Sequence, residues 1–176
     1  AARDLAKLGE VADEVRALGA EAHVVAIDMA SFDSIKDAIA STSKDFGRID
    51  ILVNNAGITR DATLHRMSFE QWDQVVRVNL GSCFNMTRLV IEGMRERGFG
   101  RIINISSISA YAVSTNRADY CLAKAAQPML TWLFASRLAD ERIRVFEVCP
   151  GVIASDMTAP VQEKYDQLIA AGLSPI

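Results

Sequence analysis

The stretch IDILVNNAG, residues 49–57, decides the fold. A short apolar run, Ile49 to Val53, is stopped by Asn54-Asn55-Ala56-Gly57. Such a run reads as a strand buried on both faces, ended by a small polar turn. The same pattern repeats on either side of it. Upstream, Leu5, Leu8, Ala12, Val15 and Leu18 recur at helical spacing between Arg3 and Leu18, with Gly19 as the stop. Ala22 to Ile27 is a second buried strand, ended by Asp28, and Ser31 caps a helix over residues 32–46 that Gly47 closes. Downstream, Trp72, Val76, Leu80, Phe84, Thr87, Ile91 and Met94 predict one long helix from Ser68 to Arg97, ended by Gly98 and Gly100. Arg101 to Ile105 is a strand running into Ser106-Ser107. A helix over Ala118–Glu141 leads to a strand over Ile143–Val148, stopped by Pro150-Gly151. A last helix is expected between Pro160 and Ala171.

Strands alternating with helices predict an α/β chain with a parallel, doubly wound sheet covered on both faces. No linker, repeat or low-complexity tract divides the chain, so residues 1–176 read as one domain. In such sheets ligands sit at the carboxyl ends of the strands. The polar clusters all follow strands: Asp28, the Asn54–Gly57 turn, Ser106-Ser107 and Pro150-Gly151. One site along one edge is therefore expected.

The composition narrows the function. With 19 Lys and Arg against 22 Asp and Glu, the net charge of −3 argues against a nucleic-acid partner. No apolar run reaches the roughly 18 residues that a membrane span needs, and AARDLAKLGE at the start carries no apolar signal core. Cys83, Cys121 and Cys149 are too far apart for a disulfide framework or metal cluster, and only two histidines accompany them. No metal site is expected, and a reducing, cytoplasmic setting fits best.

Four residue types then suggest chemistry. Tyr120 and Lys124 are four apart in a helical segment and share a face. A phenol is a poor acid at neutral pH, its reference pKa being about 10. Lowering that by about three pH units takes roughly 4 kcal/mol. One ammonium about 4 Å away, at an effective dielectric near 20, supplies about that much. The pair could thus donate a proton to a carbonyl oxygen, although a tyrosine packed beside a solvated lysine has the same spacing. Ser107 follows a strand, and its hydroxyl could hold that carbonyl or simply cap a turn. Asn79 interrupts an apolar helix face, where a buried amide must find partners. The Asn54–Gly57 turn offers small residues and backbone amides for close approach of a flat ligand.

Together these motifs resemble the short-chain dehydrogenase/reductase family along essentially the whole chain. The matching features are Asn54-Asn55-Ala56-Gly57, Asn79 in VRVNLGS, Ser107 in IINISS, Tyr120-x-x-x-Lys124, and Pro150-Gly151. The spacings agree as well: 28 positions from Asn79 to Ser107, 13 to Tyr120 and 4 to Lys124. The resemblance implies a Rossmann-type fold and an Asn79-Ser107-Tyr120-Lys124 catalytic tetrad. Tyr120 would move the hydroxyl proton and Ser107 would orient the substrate carbonyl. Lys124 would lower the tyrosine pKa and bind the nicotinamide ribose. Asn79 would hold a water linking Lys124 to solvent. For the cofactor, Asp28 and Met29 would flank the adenine, and Asn55, Ala56 and Gly57 would line the adenosine side. Pro150, Gly151, Ile153 and Ser155 would stand near the nicotinamide. Where an acidic residue would select NAD, this chain has Ala2-Arg3, and Arg3 suits the 2′-phosphate of NADP. NADP(H) is therefore favoured over NAD(H).

NNAGITRDATLHRMSFEQW and GMRERGFGRIINISS look like the 3-oxoacyl-acyl-carrier-protein and acetoacetyl-CoA reductases. The implied substrate is a 3-oxoacyl thioester. An NAD-linked sugar or polyol dehydrogenase is the alternative, and a non-catalytic scaffold acting by protein association is the alternative of another class. Association through the helices at 68–97 and 118–141 would make a dimer or tetramer. The family's opening strand with its glycine-rich turn and its last strand are not matched. The sheet is therefore expected to be incomplete, the strands at 22–27 and 49–53 are not expected to pair, and cofactor binding by these residues alone is expected to be weak. Pro128, one turn past Lys124, is expected to disturb its helix.

Overall fold

Asp4 opens the first helix, α1 (Leu5–Ala17), its carboxylate accepting from the amides of Ala6 and Lys7. The structure, a computed structural model, describes residues 1–153 and Glu163, Asp166, Gln167, Ala170, Ala171 and Gly172. Ser31 caps α2 (Phe32–Phe46), and Gly47 closes it in the left-handed conformation, φ 74°, that a residue without Cβ adopts most readily. After β1 (Ile51–Asn54), Ser68 and Gln71 form a reciprocal capping box for α3 (Phe69–Val76). Then come α4 (Ser82–Arg97), β2 (Gly100–Ile105), α5 (Ala118–Arg137) and β3 (Ile143–Val148). The three strands form a parallel sheet in the order β1-β2-β3, with Asn54 opposite Asn104 and Ile105 opposite Val148. Among the described residues no helix is long and apolar enough to cross a membrane.

The core lies between the sheet and two helices. Leu52, Ile102 and Ile143 pack with Val90 and Met94 of α4 and with Leu138 at the end of α5. A smaller cluster, Ile27, Ile35 and Ala38, seats α2. Gly100 is obligatory here: a Cβ there would lie 2.4 Å from Met94 Sδ and 2.9 Å from Met94 Cβ, and Met94 is fully buried. Gly100→Ala in the full-length protein is therefore expected to cost about 1–3 kcal/mol through overpacking, measured by chemical denaturation. An unchanged midpoint would mean that Met94 repacks freely.

The structure departs from the sequence expectations in four places. The segment at 22–27 does not form a strand buried on both faces. It makes one parallel bridge, Ala2 to Ala26, through Ala2 N–H to Val25 O and Ile27 N–H to Ala2 O. An extended run becomes a strand only with a ladder beside it, and among the described residues only Ala2 pairs with this one. Among the described residues the sheet is also covered on one face only: Ile51, Val53, Phe146 and Val148 stand exposed on the other. The long helix at 68–97 is divided by a wide π-type turn, Arg77–Gly81, which carries Asn79. Finally, α5 runs through Pro128 without a break. The helix expected at 160–171 lies mostly outside the described residues, with Glu163, Asp166, Gln167 and Ala170 helical.

Candidate active site

Asn79, Ser107 and the Tyr120–Lys124 pair come from three different parts of the chain, and the carboxyl edge of the sheet gathers them. Ser107 lies just past the end of β2, where Ser106 N–H still bonds to Val148 O across the sheet. Its hydroxyl accepts from the amide of Ser109, which fixes the oxygen at the start of a short turn. Tyr120 occupies the first turn of α5, with the Ser107 hydroxyl close enough to favour the ionised form of its phenol. Lys124, one turn later on the same face, is buried. Its ammonium donates to Ile105 O at 2.7 Å and to Gln127 Oε1 at 3.2 Å, and lies 5.6 Å from the centre of the Tyr120 ring, over its face.

This geometry corrects the electrostatic argument from spacing. The Lys124 ammonium points its bonds at Ile105 and Gln127, and it stands over the ring instead of at the hydroxyl. Burial therefore dominates and pushes the Tyr120 phenol above its ordinary range, opposed by the Ser107 hydrogen bond and the Arg117 charge. Burial likewise pushes the Lys124 ammonium down.

Asn79 is fully buried, and the wide turn swings its side chain toward the loop after β1. Its Oδ1 accepts from Ile58 N–H at 2.8 Å and its Nδ2 donates to Ile58 O at 2.9 Å. The side chain thus clasps the backbone directly after the Asn54–Gly57 turn. Its own carbonyl accepts from Gln127 Nε2 at 2.7 Å and from Cys83 Sγ at 3.3 Å. Gly57 joins this cluster to the neighbouring cleft: a Cβ there would lie 3.4 Å from Asn79 Oδ1 and 3.9 Å from Lys124 Nζ.

That cleft, about 460 Å³, is lined by Arg3, Asp28, Met29, Asn55, Ala56 and Gly57, the residues proposed for the adenosine end of a cofactor. Pro150, Gly151 and Ile153 follow β3, and Pro150 O accepts from Ile108 N–H, which brings the two loops together. Ser155 lies outside the described residues. The donor set suits a nicotinamide dinucleotide. It offers a small-walled cleft, an arginine at its rim, a glycine beside Asn79 and Lys124, and a buried ammonium with two hydrogen bonds to the described residues.

Three contributors escaped the motif search. Gln127, fully buried, lies between Lys124 and Asn79; its i+3 spacing from Lys124 was the available signal. Asp119, fully buried beside Tyr120, accepts from the Tyr120 amide at 2.7 Å through Oδ1, while Oδ2 has no partner among the described residues. A polar chain, Asn54 Nδ2 to Asn104 Oδ1, Asn104 Nδ2 to Thr131 Oγ1 and Thr131 Oγ1 to Gln127 O, ties the sheet to α5. Register places Asn54 against Asn104, which only the folded sheet reveals.

A family model for short chain dehydrogenases matches residues 1–166. The chain is similar to an acetoacetyl-CoA reductase of Rhizobium meliloti (strain 1021), 47% identical over 78% of the chain and 57% of that protein. It is also similar to a 3-oxoacyl-(acyl-carrier-protein) reductase of Thermotoga maritima, 38% identical over 93% of the chain and 67% of that protein. Among solved structures, a gluconate 5-dehydrogenase from Burkholderia cenocepacia J2315, in complex with NADP and tartrate, superposes with a TM-score of 0.87. That pair is 32% identical, over 96% of this chain and 67% of that one. The chain thus spans little more than half the length of the Rhizobium reductase.

Proposed function

This chain belongs to the short chain dehydrogenase family, and from that membership we propose that the protein carrying it reduces the ketone of a 3-oxoacyl thioester, on coenzyme A or acyl carrier protein, with NADPH. The observation that carries the reaction type is that Ser107, Tyr120 and Lys124 meet at the carboxyl edge of the sheet, with Lys124 buried one helical turn from Tyr120 and over its ring. The likeness to acetoacetyl-CoA and 3-oxoacyl reductases supports the substrate class. Arg3 at the rim of the cleft, as a planar cation suited to a 2′-phosphate, supports NADP. A dimer or tetramer in the cytoplasm fits the same proposal. Phe84, Met129, Trp132 and Leu133, exposed on α4 and α5, suit association.

When bound, the nicotinamide supplies the hydride to the substrate carbon. Ser107 donates to the carbonyl oxygen and holds it beside the phenol. As negative charge gathers on that oxygen, Tyr120 gives up its proton. Burial serves this direction, because a phenol above its ordinary range stays protonated at neutral pH. Transfer remains downhill, since an alkoxide is about as strong a base as hydroxide and far stronger than a phenolate. Lys124 and Asn79 hold the wall against which the ribose and nicotinamide would lie.

The test is a substrate and cofactor panel on the full-length protein. Acetoacetyl-CoA with NADPH is expected to give the highest kcat/KM. Higher values with a polyol and NAD would replace the substrate and cofactor assignments, and no turnover of any carbonyl or alcohol would favour the scaffold.

A further inference from the structure

We propose that Gln127 is a positioning residue for Lys124: its uncharged amide spans the Lys124 ammonium and the Asn79 carbonyl and fixes where the ammonium points without neutralising it. The proposal rests on the roles given above to Lys124 and Tyr120. Gln127 is fully buried, and both ends of its amide are engaged. Oε1 accepts from Lys124 Nζ, and Nε2 donates to Asn79 O and to Cys83 Sγ. The orientation of the amide is dictated by its neighbours. An ammonium can only donate and a carbonyl can only accept, so oxygen must face Lys124 and nitrogen must face Asn79.

The choice of an amide has consequences that a carboxylate would not share. Among the described residues no carboxylate pairs with Lys124; its hydrogen-bond partners are the Ile105 carbonyl from β2 and the Gln127 amide from its own helix. The titratable groups facing it are Cys83 from α4 and Tyr120 from α5, and the remaining neighbours, Asn79 and Gly57, are uncharged. The ammonium is thus held by dipoles, with no carboxylate among the described residues to offset its charge toward a bound ligand. The amide also links the two halves of the site. Asn79 grips the loop after β1 through Ile58, and Gln127 ties the carbonyl of that same residue to Lys124. Below, the Gln127 carbonyl accepts from Thr131, whose hydroxyl continues through Asn104 into the sheet. A displacement of the wide turn at Asn79 would therefore be felt at Lys124 through one side chain.

The experiment compares Gln127→Glu and Gln127→Met in the full-length protein, using two readouts. The first is an NMR pH titration of the Lys124 side chain in cofactor-free protein, its resonance assigned by Lys124→Arg. A carboxylate at position 127 should move the Lys124 titration to higher pH by about one pH unit or more, and methionine should move it lower. The second is steady-state kinetics, where Gln127→Met should lower kcat about tenfold with substrate KM within about twofold. An unchanged Lys124 titration in both variants would overturn the proposal and leave Gln127 as a structural support for the Asn79 turn. Gln127→Glu keeps the shape of the side chain and so carries the test if the methionine variant does not fold. Because the titration needs no turnover, it stands apart from the substrate panel: a shifted titration in a protein inactive on ketones would uphold the role of Gln127 and reject the proposed reaction.

Discussion

Tyr120→Phe is expected to lower kcat for ketone reduction by about 10²–10⁴-fold, the range associated with loss of a positioned general acid. The substitution removes one oxygen and leaves the ring and its backbone anchor unchanged. Lys124 lies over its face, and the amide behind it is gripped by Asp119. The ring should therefore keep its place, and cofactor affinity should change little. That combination, a large loss in kcat with near-constant cofactor binding, separates loss of the proton donor from general damage. Retention of most of the activity in the phenylalanine variant would assign the acid elsewhere.

Ser107→Ala carries the second large effect, expected at about 10²–10³-fold in kcat, comparable to removing one preorganised donor to a developing oxyanion. The serine has two consequences in turn. In the free protein its hydroxyl favours ionisation of Tyr120 against the effect of burial, and with substrate bound its one O–H would instead hold the substrate oxygen. Alanine removes both, so the phenol should become still harder to ionise. Alcohol oxidation, which begins from the phenolate, should therefore lose more than ketone reduction at the same pH, as measured by initial rates in the two directions. Equal losses in both directions would confine Ser107 to holding the carbonyl.

Much of this site was visible in the sequence because its parts depend on local rules. Ser31 and Gly47 bound α2 as caps do anywhere, and the spacing of Tyr120 and Lys124 put them on one helical face. The cleft residues Arg3, Asp28, Met29, Asn55, Ala56 and Gly57 were assembled by resemblance, and they line one cavity. What escaped depends on tertiary partners. The run at 22–27 has the composition of a buried strand, but pairing needs a neighbour, and among the described residues only Ala2 supplies one. The wide turn at Arg77–Gly81 leaves the apolar spacing almost unchanged, so periodicity reads straight through it. Whether a lysine ammonium faces a phenol or a carbonyl depends on where Ile105 and Gln127 stand, and residues 19 positions before it and three after carry no common pattern that announces this. Pro128 was expected to disturb α5, yet the helix passes through it, packed in the interior.

The central physical claim is that Tyr120 waits as a neutral, half-buried phenol beside Ser107. It is tested most directly by an alkaline absorbance titration of cofactor-free full-length protein, with the titration of Tyr120→Phe subtracted. The difference isolates one phenol. Burial predicts that this phenol ionises above the ordinary tyrosine value of 10.0 and stays protonated throughout the neutral range. A difference signal half complete below that value would mean that a nearby positive charge outweighs burial, and that the arrangement of Lys124 described here is not the one the protein uses.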